Sequence, residues 1–253
     1  MIQYSPGGRC VRKQRLLKGY DKMTKILFVC HGNICRSPTA EFILRDMVKK
    51  LGRENEFFIA SAATSAEELG SGVYPPARRL LAAHGIDCSG KTARQIVRED
   101  YERFDLIIGM DAENMRSLRR LYAPDRAGKL SLLLDHAGRH GEDIYDPWYS
   151  RDFQRSWDDI WSGCLGLLDE LLGGKVVLDF SSCETRDELY AVLRREMLWQ
   201  EDYGENLDAL WDILTGLPHR GRSFSFILPR DAGSEAGVYA RRICGVFEDA
   251  AVE

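Results

Sequence analysis

Short hydrophobic runs alternate with longer segments of helical periodicity from residue 25 onward. The runs of strand type cover residues 26–29, 57–60, 106–109, 130–134, 176–180 and 224–228. Strands that alternate with helices are typical of a parallel sheet covered by helices. The pattern therefore predicts an α/β fold.

The helical segments carry recognisable start and stop signals. Ser37 is predicted to cap a helix in which Pro38 holds the first position and which Gly52 ends. Asp111 is predicted to cap a later helix. Further amphipathic stretches cover residues 157–172, 187–198, 205–215 and 235–250.

A glycine pair at 173–174 marks the predicted boundary between two domains, residues 23–173 and 174–253. Residues 1–22 lack periodicity and are predicted to be a disordered basic arm or an overlong start assignment. The arm carries a net charge of +5, the first domain −3 and the second domain −6. An acidic second domain disfavours nucleic acid as a ligand and favours a basic protein partner.

Composition narrows the class of protein further. No uncharged apolar run approaches the roughly 20 residues that span a bilayer, and no apolar segment of a signal peptide follows the basic arm. The seven cysteines are an odd number and are interpreted as reduced thiols of a cytoplasmic protein. The five histidines show no metal-ligand spacing, so neither a metal nor another cofactor is expected.

One loop lies between a strand of buried type and the start of a helix, where α/β folds present backbone amides to an anion. Its residues are Cys30, His31, Gly32, Asn33, Ile34, Cys35, Arg36 and Ser37. Cys88 and Arg94 have the same spacing as Cys30 and Arg36, but no strand leads into Cys88, and we interpret that pair as a coincidence. The loop at Cys30 is the predicted phosphate-binding loop.

The residue types in this loop suit phosphoryl transfer. Amide dipoles, a helix N-terminus and Arg36 stabilise a thiolate at Cys30, which can attack phosphorus. The loop amides and the planar guanidinium would bind the phosphoryl oxygens. Ser37 could donate a hydrogen bond to the thiolate, and Asn33 is predicted to brace the loop through its side chain.

A cysteinyl phosphate requires an acid for the leaving oxygen and then a base for water, and one carboxylate can serve both steps. Asp146 is the candidate. Pro147 would stiffen its loop, while Trp148 and Tyr149 would wall a slot for an aromatic ester. The alternative is an Asp-Pro turn that carries two surface aromatic residues.

With these motifs, residues 25–172 resemble the low-molecular-weight protein-tyrosine phosphatases, and residues 61–64 and the stretch around residues 74–76 also resemble bacterial members of that family. The resemblance implies a four-stranded parallel sheet, with Cys30 as nucleophile, Arg36 as phosphate ligand and Asp146 as acid and base. It also implies that Cys35 can form a protective disulfide with Cys30.

Two other enzyme classes share this loop. Arginine phosphatases that resemble this chain carry threonine where it has Ile34, and an apolar residue there favours an aryl phosphate. Arsenate reductases of this type use a further redox cysteine pair, whereas Cys88 is alone in the middle of this domain. Phosphotyrosine is therefore the predicted substrate, and phosphoarginine is the alternative within enzymes.

The second domain carries a row of acidic residues. Glu205, Asp208 and Asp212 would share one helical stripe at i, i+3 and i+7, with Tyr203 and Trp211 beside it. The alternative is that this helix face is simply exposed to solvent and binds nothing, because rows of like charges on a helix are often only a solvated surface.

From about residue 175 the chain resembles barstar, a ribonuclease inhibitor. The resemblance implies a small parallel three-stranded sheet and a basic protein partner at Tyr203, Asp208, Trp211, Asp212 and Asp249. Asp202 stands where barstar has a second tyrosine, and the final strand of that family is missing, which leaves two strands. The rival to a phosphatase is a binding protein in which the phosphatase domain is secondary.

Overall fold

A computed structural model describes residues 2–3, 23–198, 204–216 and 222–251. Seven strands occur in this described part, namely β1 (Ile2–Gln3), β2 (Thr24–Cys30), β3 (Phe57–Ala63), β4 (Leu106–Gly109), β5 (Leu130–Leu132), β6 (Lys175–Asp179) and β7 (Ser223–Ile227). Its α-helices are α1 (Arg36–Lys50), α2 (Pro75–Ala83), α3 (Asp100–Arg103), α4 (Ala112–Tyr122), α5 (Pro147–Ser150), α6 (Phe153–Leu172), α7 (Arg186–Met197), α8 (Leu207–Gly216) and α9 (Glu235–Ala250). No helix of these ranges is long and apolar enough to cross a membrane.

The chain divides into two compact units. Residues 19–170 form one unit, and residues 171–253 form the other together with the N-terminal segment that contains β1. This division lies close to the predicted boundary at residues 173–174. Each unit has its own sheet, in the order β3-β2-β4-β5 for the first and β1-β7-β6 for the second.

The first sheet is parallel throughout, and the predicted four-stranded α/β fold is confirmed. Its central strand β2 contains a run of fully buried residues, 26–29. On one face, Leu27 packs with Met115 and Leu118 of α4 in a common core. Helix α6 packs against α1, where Cys164 Sγ lies 3.7 Å from the carbonyl oxygen of Ala40. Because helices cover the sheet, its central strand is hydrophobic at successive positions rather than alternating.

The strand order creates a crevice at the end of β2. The chain passes from β2 to β3 on one side and then to β4 on the other, so the loops after β2 diverge in opposite directions. Open α/β sheets bind ligands at such a switch point, beyond the carboxyl ends of the strands. The predicted phosphate-binding loop begins there, at Cys30.

The second unit differs from the sequence-based expectation. β6 and β7 are parallel, but a third strand is present: β1 pairs antiparallel with β7, with Ile2 opposite Phe226. A two-stranded sheet was expected here. The same strand lies inside the segment 1–22 that was predicted to be disordered, of which residue 1 and residues 4–22 lie outside the described part. A third strand adds backbone hydrogen bonds to a sheet that would be marginal with two.

Helices α7, α8 and α9 build the core of the second unit. Its fully buried residues include Tyr190, Leu210 and Ile243, one from each helix, with Phe180 after β6. The apolar faces of these helices therefore meet the sheet, and their polar faces remain at the surface.

Candidate active site

The predicted phosphate-binding loop curls around the sulfur of Cys30. Asn33 adopts a φ of 56°, in the left-handed region that asparagine tolerates better than most residues. This turn directs the backbone N–H of Asn33 to Cys30 Sγ at 3.3 Å. Cys30 is 3% exposed, so this N–H reaches the sulfur in a largely dry environment, where it is electrostatically stronger than in water.

Ser37 contacts the Cys30 sulfur instead of capping the helix. Helix α1 begins at Arg36 with Cys35 in the N-cap position and has no side-chain cap, so the predicted Ser37 cap is wrong. Ser37 Oγ lies 3.0 Å from Cys30 Sγ. It also accepts a hydrogen bond of 2.9 Å from Asn33 Nδ2, which leaves its own proton to donate to the sulfur. This geometry suits a thiolate, which can only accept.

The Asn33 side chain fixes the loop from behind. Its amide nitrogen donates to Ser37 Oγ and, at 2.7 Å, to Ser61 Oγ. Its amide oxygen accepts from the backbone N–H of Arg94 at 3.2 Å. With both N–H groups and the oxygen engaged, the side chain has one orientation and holds the left-handed turn in place.

A buried charged cluster lies behind this amide. Ser61 Oγ donates to Glu41 Oε2 at 2.5 Å, and Glu41 is 2% exposed. Lys91 Nζ and Arg45 Nη2 each lie 2.8 Å from the Glu41 carboxylate. A buried carboxylate is costly unless it is paired, and here two cations and a hydroxyl satisfy it. The sequence analysis assigned none of these residues to the site.

Two carboxylates from other loops hold Arg36. Its Nη1 lies 2.7 Å from Asp111 Oδ2, and its Nη2 lies 2.8 Å from Asp146 Oδ2. Burial opposes the charge of Arg36, but the negative charges of Cys30, Asp146 and Asp111 raise its pKa above the ordinary value. The guanidinium is therefore charged and fixed beside the loop.

Asp111 and Asp146 each also cap a helix. Asp111 accepts a hydrogen bond of 2.7 Å from the Asn114 N–H and caps α4, as predicted. Its contact with Arg36 was not predicted. Asp146 Oδ1 accepts a hydrogen bond of 2.9 Å from the Trp148 N–H at the start of α5. The cap leaves Asp146 Oδ2 directed at Arg36, and the fold thereby brings the predicted acid to the phosphate-binding loop.

Cys35 is chemically distinct from Cys30 despite sharing the loop. Burial and the neighbouring charge of Cys30 raise the pKa of the Cys35 thiol to about 12, against a smaller opposing effect of Arg36. Both cysteines are unpaired. Near neutral pH, Cys35 is therefore a protonated thiol and a poor nucleophile.

Aromatic residues line one side of the loop. Tyr74 donates its backbone N–H to Ile34 O at 2.7 Å, and its ring centroid lies 5.1 Å from that of Trp148. Trp148 is 43% exposed. Arg151 Nη1 donates to Tyr74 Oη at 2.6 Å. Tyr149 lies in α5, but its side chain is outside the described part. Tyr74 therefore joins the phosphate-binding loop to the loop of Asp146, a role that the sequence analysis missed.

Polar residues line another part of the rim. His31 Nε2 lies 3.3 Å from Glu67 Oε2, and both side chains are exposed. A Cβ atom at Gly32 would lie 3.3 Å from Glu68 Cγ, a spacing so tight that a larger residue would displace this neighbour. In the described ranges, no group of three or more His, Cys, Asp or Glu residues is arranged to hold a metal ion.

The second unit presents part of the predicted acidic stripe. Asp208 and Asp212 are exposed on α8, Trp211 is partly buried between them, and Asp249 is exposed near the end of α9. Helix α8 packs against α9, so both helices contribute acidic residues to this unit. Tyr203 lies outside the described residues.

Glu205 does not belong to the helical stripe. Helix α8 begins at Leu207, after Asn206, whose side chain accepts from the Ala209 N–H at 2.8 Å. Glu205 therefore precedes the helix, where its carboxylate pairs with Arg194. The predicted row of three carboxylates is wrong, and the exposed charge on α8 comes from the other two.

Comparisons with known proteins divide the chain in the same place. Residues 25–176 match the family model described as low molecular weight phosphotyrosine protein phosphatase. Residues 174–253 match the family model described as barstar, the barnase inhibitor. Both resemblances identified in the sequence are confirmed in order and extent.

Similar curated proteins and solved structures match the first unit. The tyrosine phosphatase YfkJ of Bacillus subtilis is 38% identical over 58% of this chain and 94% of its own length. A chicken (Gallus gallus) phosphotyrosine protein phosphatase is 36% identical over 59% of this chain and 96% of its own. The crystal structure of YfkJ aligns with a TM-score of 0.58 at 37% identity, over 61% of this chain and 98% of that one. A Drosophila arginine phosphatase aligns with a TM-score of 0.55 at 30% identity, over 58% and 98%.

Proposed function

Over residues 25–176 the chain belongs to the low molecular weight phosphotyrosine protein phosphatase family, and from this premise we propose that it hydrolyses phosphotyrosine through a phosphate ester of Cys30. The contacts of the Cys30 sulfur carry the proposal. The backbone nitrogen of Asn33 and the hydroxyl oxygen of Ser37 lie 3.3 and 3.0 Å from it. Such donors stabilise a thiolate at the point where a phosphoryl group binds. The described cysteines are unpaired, which suits action in the reducing cytoplasm.

In the first step, Cys30 Sγ attacks phosphorus and the bond from phosphorus to the phenolic oxygen breaks. The loop N–H groups and Arg36 bind the other phosphoryl oxygens and stabilise the charge that develops on them. The phosphoryl group accepts the hydrogen bond of Arg36 Nη2, which otherwise lies 2.8 Å from Asp146 Oδ2. With this pairing broken, the Asp146 carboxylate takes up a proton from solvent, and the resulting carboxyl group gives that proton to the leaving oxygen and ends the step as a carboxylate.

In the second step, Asp146 removes a proton from water as the water oxygen attacks phosphorus. The bond from sulfur to phosphorus breaks, inorganic phosphate leaves and the thiolate returns. Ser37 donates to the departing sulfur, because Asn33 occupies its acceptor side. The buried Glu41 cluster holds Asn33 and Ser61 throughout, so the donors require no rearrangement.

The slot favours an aromatic ester. Ile34 is largely buried in the loop, and Trp148 exposes its ring at the rim. An apolar slot with an aromatic wall holds a phenyl ring, whereas a guanidinium would lose hydration against these apolar surfaces. Phosphoarginine remains the second candidate, because one similar structure is an arginine phosphatase.

Matched peptides that carry phosphotyrosine or phosphoarginine test the substrate. We expect the full chain to hydrolyse the phosphotyrosine peptide with a kcat/KM about 10² times higher, since only the aryl group fills the slot. Phosphate release is measured for both peptides. As a control, Ile34→Thr is expected to reduce the ratio of kcat/KM for the phosphotyrosine peptide to kcat/KM for the phosphoarginine peptide. A preference for phosphoarginine in the unchanged chain would contradict the proposal.

For the second unit we propose binding of a basic protein, with a ribonuclease of barnase type as the first candidate. The match to the barstar family model supports this, as do the exposed carboxylates of Asp208 and Asp212 on one helix. These residues are four apart and therefore share a face. Acidic patches accelerate association with basic partners and order their approach.

Asp212→Asn is expected to weaken binding of a barnase-type ribonuclease by about tenfold or more, because one carboxylate loses its cationic partner. Inhibition of ribonuclease activity by the full chain is the measurement. Asp187→Asn removes the same charge from an exposed position on α7 and is expected to have little effect. Equal effects of the two variants, or no inhibition by the unchanged chain, would refute this assignment.

A further inference from the structure

A groove separate from the catalytic loop lies between α4 and the segment that follows Arg94. Its volume is about 380 Å³. Ile96 and Leu118 line it and are almost fully buried, so its floor is apolar. Arg98, Ser117 and Arg120 line it as well. The groove is therefore amphipathic, with an apolar base and cationic and hydroxyl groups above it.

The charge in this groove has one sign. Its lining contains two arginines and no carboxylate. One N–H of Arg98 donates to the carbonyl oxygen of Leu121 at 3.4 Å, which holds this side chain at the end of α4. Elsewhere in the unit, by contrast, Arg94 is paired with Asp100 at 2.8 Å. A groove of this kind suits a carboxylate on a short apolar stem, as in a glutamate or aspartate side chain.

The groove is joined to the catalytic loop through Thr64, which lines it. The Thr64 N–H donates to the Cys30 carbonyl oxygen at 2.9 Å, and the next residue, Ser65, donates to His31 O at 3.0 Å. Gln95 Nε2 donates to Thr64 O at 3.3 Å. Thr64 therefore belongs both to the groove lining and to the segment that is hydrogen-bonded to the catalytic loop.

We propose that this groove binds acidic side chains of the phosphoprotein substrate, several residues from the phosphorylated tyrosine. The proposal rests on the proposed phosphatase function. It adds a second recognition site, which selects among phosphotyrosine sequences by their charge. Arg98 and Arg120 are the specificity residues, and neither contacts the phosphoryl group.

The test compares two phosphotyrosine peptides, one with glutamates and one with glutamines at positions two to six on both sides. We expect the full chain to show a kcat/KM about tenfold higher for the acidic peptide. The double variant Arg98→Gln, Arg120→Gln is expected to show nearly equal kcat/KM for the acidic and the glutamine peptide. Its hydrolysis of p-nitrophenyl phosphate is expected to be unchanged. Arg120→Gln alone, which keeps the Arg98 contact with α4, is expected to lower the ratio in part.

Arg116→Gln with Arg119→Gln is the matched control, because both arginines are exposed on α4 outside the groove lining. This variant is expected to keep the preference. An equal loss in the control, or no preference in the unchanged chain, would overturn the proposal.

A glutamate-rich peptide without tyrosine is expected to raise the KM for the acidic phosphopeptide. If succinate competes equally well, the groove binds free anions and the substrate assignment is wrong. Failure of p-nitrophenyl phosphate hydrolysis would instead contradict the phosphatase function itself.

Discussion

Replacing Cys30 with serine is expected to lower phosphotyrosine hydrolysis by about 10⁴-fold or more. A serine hydroxyl does not ionise near neutral pH, and the donors around position 30 are arranged for a thiolate. Phosphate release from a phosphotyrosine peptide measures the loss. The variant is expected to bind this peptide still, because Arg36 and the loop N–H groups are unchanged.

Cys35→Ser is the matched control for this experiment. The Cys35 pKa of about 12 keeps its thiol protonated, so this variant is expected to retain most of the activity. A large loss in Cys35→Ser together with normal activity in Cys30→Ser would exchange the two assignments. Loss of peptide binding in Cys30→Ser would indicate damage to the loop rather than removal of the nucleophile.

The second large effect is expected for Asp146→Asn, and it should depend on the leaving group. Asparagine can keep the cap to the Trp148 N–H but cannot transfer a proton. Hydrolysis of esters with poor leaving groups, such as phenyl phosphate, should fall by about 10² to 10⁴-fold. Hydrolysis of p-nitrophenyl phosphate should fall less, because nitrophenolate leaves without protonation. The measurement is kcat/KM against the pKa of the leaving phenol.

Asp111→Asn is the control that distinguishes a residue that transfers a proton from one that only holds Arg36 in position. Asp111 contacts the same guanidinium at 2.7 Å and also caps a helix, but the proposed mechanism gives it no proton. Its loss should slow all esters by a similar factor. The same uniform slowing in Asp146→Asn would argue against Asp146 as the acid.

Local sequence predicted the catalytic loop because strand, loop and helix are consecutive there. Cys30 ends β2 and Arg36 begins α1, so short-range pattern places both residues. The structure changed only the local geometry. Ser37 follows the helix start instead of preceding it, and its hydroxyl consequently meets the sulfur. Glu205 was predicted inside a helix but precedes it, because Asn206 caps α8 and the helix begins after that residue.

The supports of the loop could not be predicted from spacing. Asp111 follows β4, and Ser61 lies within β3, so both reach the site only after the strands align side by side. Lys91 pairs with Glu41 across 50 positions of sequence. Contacts between such distant residues do not recur at a regular spacing along the chain. Neither sequence spacing nor amino-acid composition therefore indicates them.

The sequence by itself determined the two-unit organisation, the parallel sheet of the first unit and the placement of Cys30 and Arg36 in one loop. It did so because hydrophobic period and loop chemistry are local properties of the chain. The tertiary structure alone decided how Asp146 meets Arg36, how the Glu41 cluster fixes Asn33, and that β1 joins the sheet of the second unit. These outcomes depend on distant segments packing together, and the energy of burying and pairing their polar groups becomes available only in the folded protein.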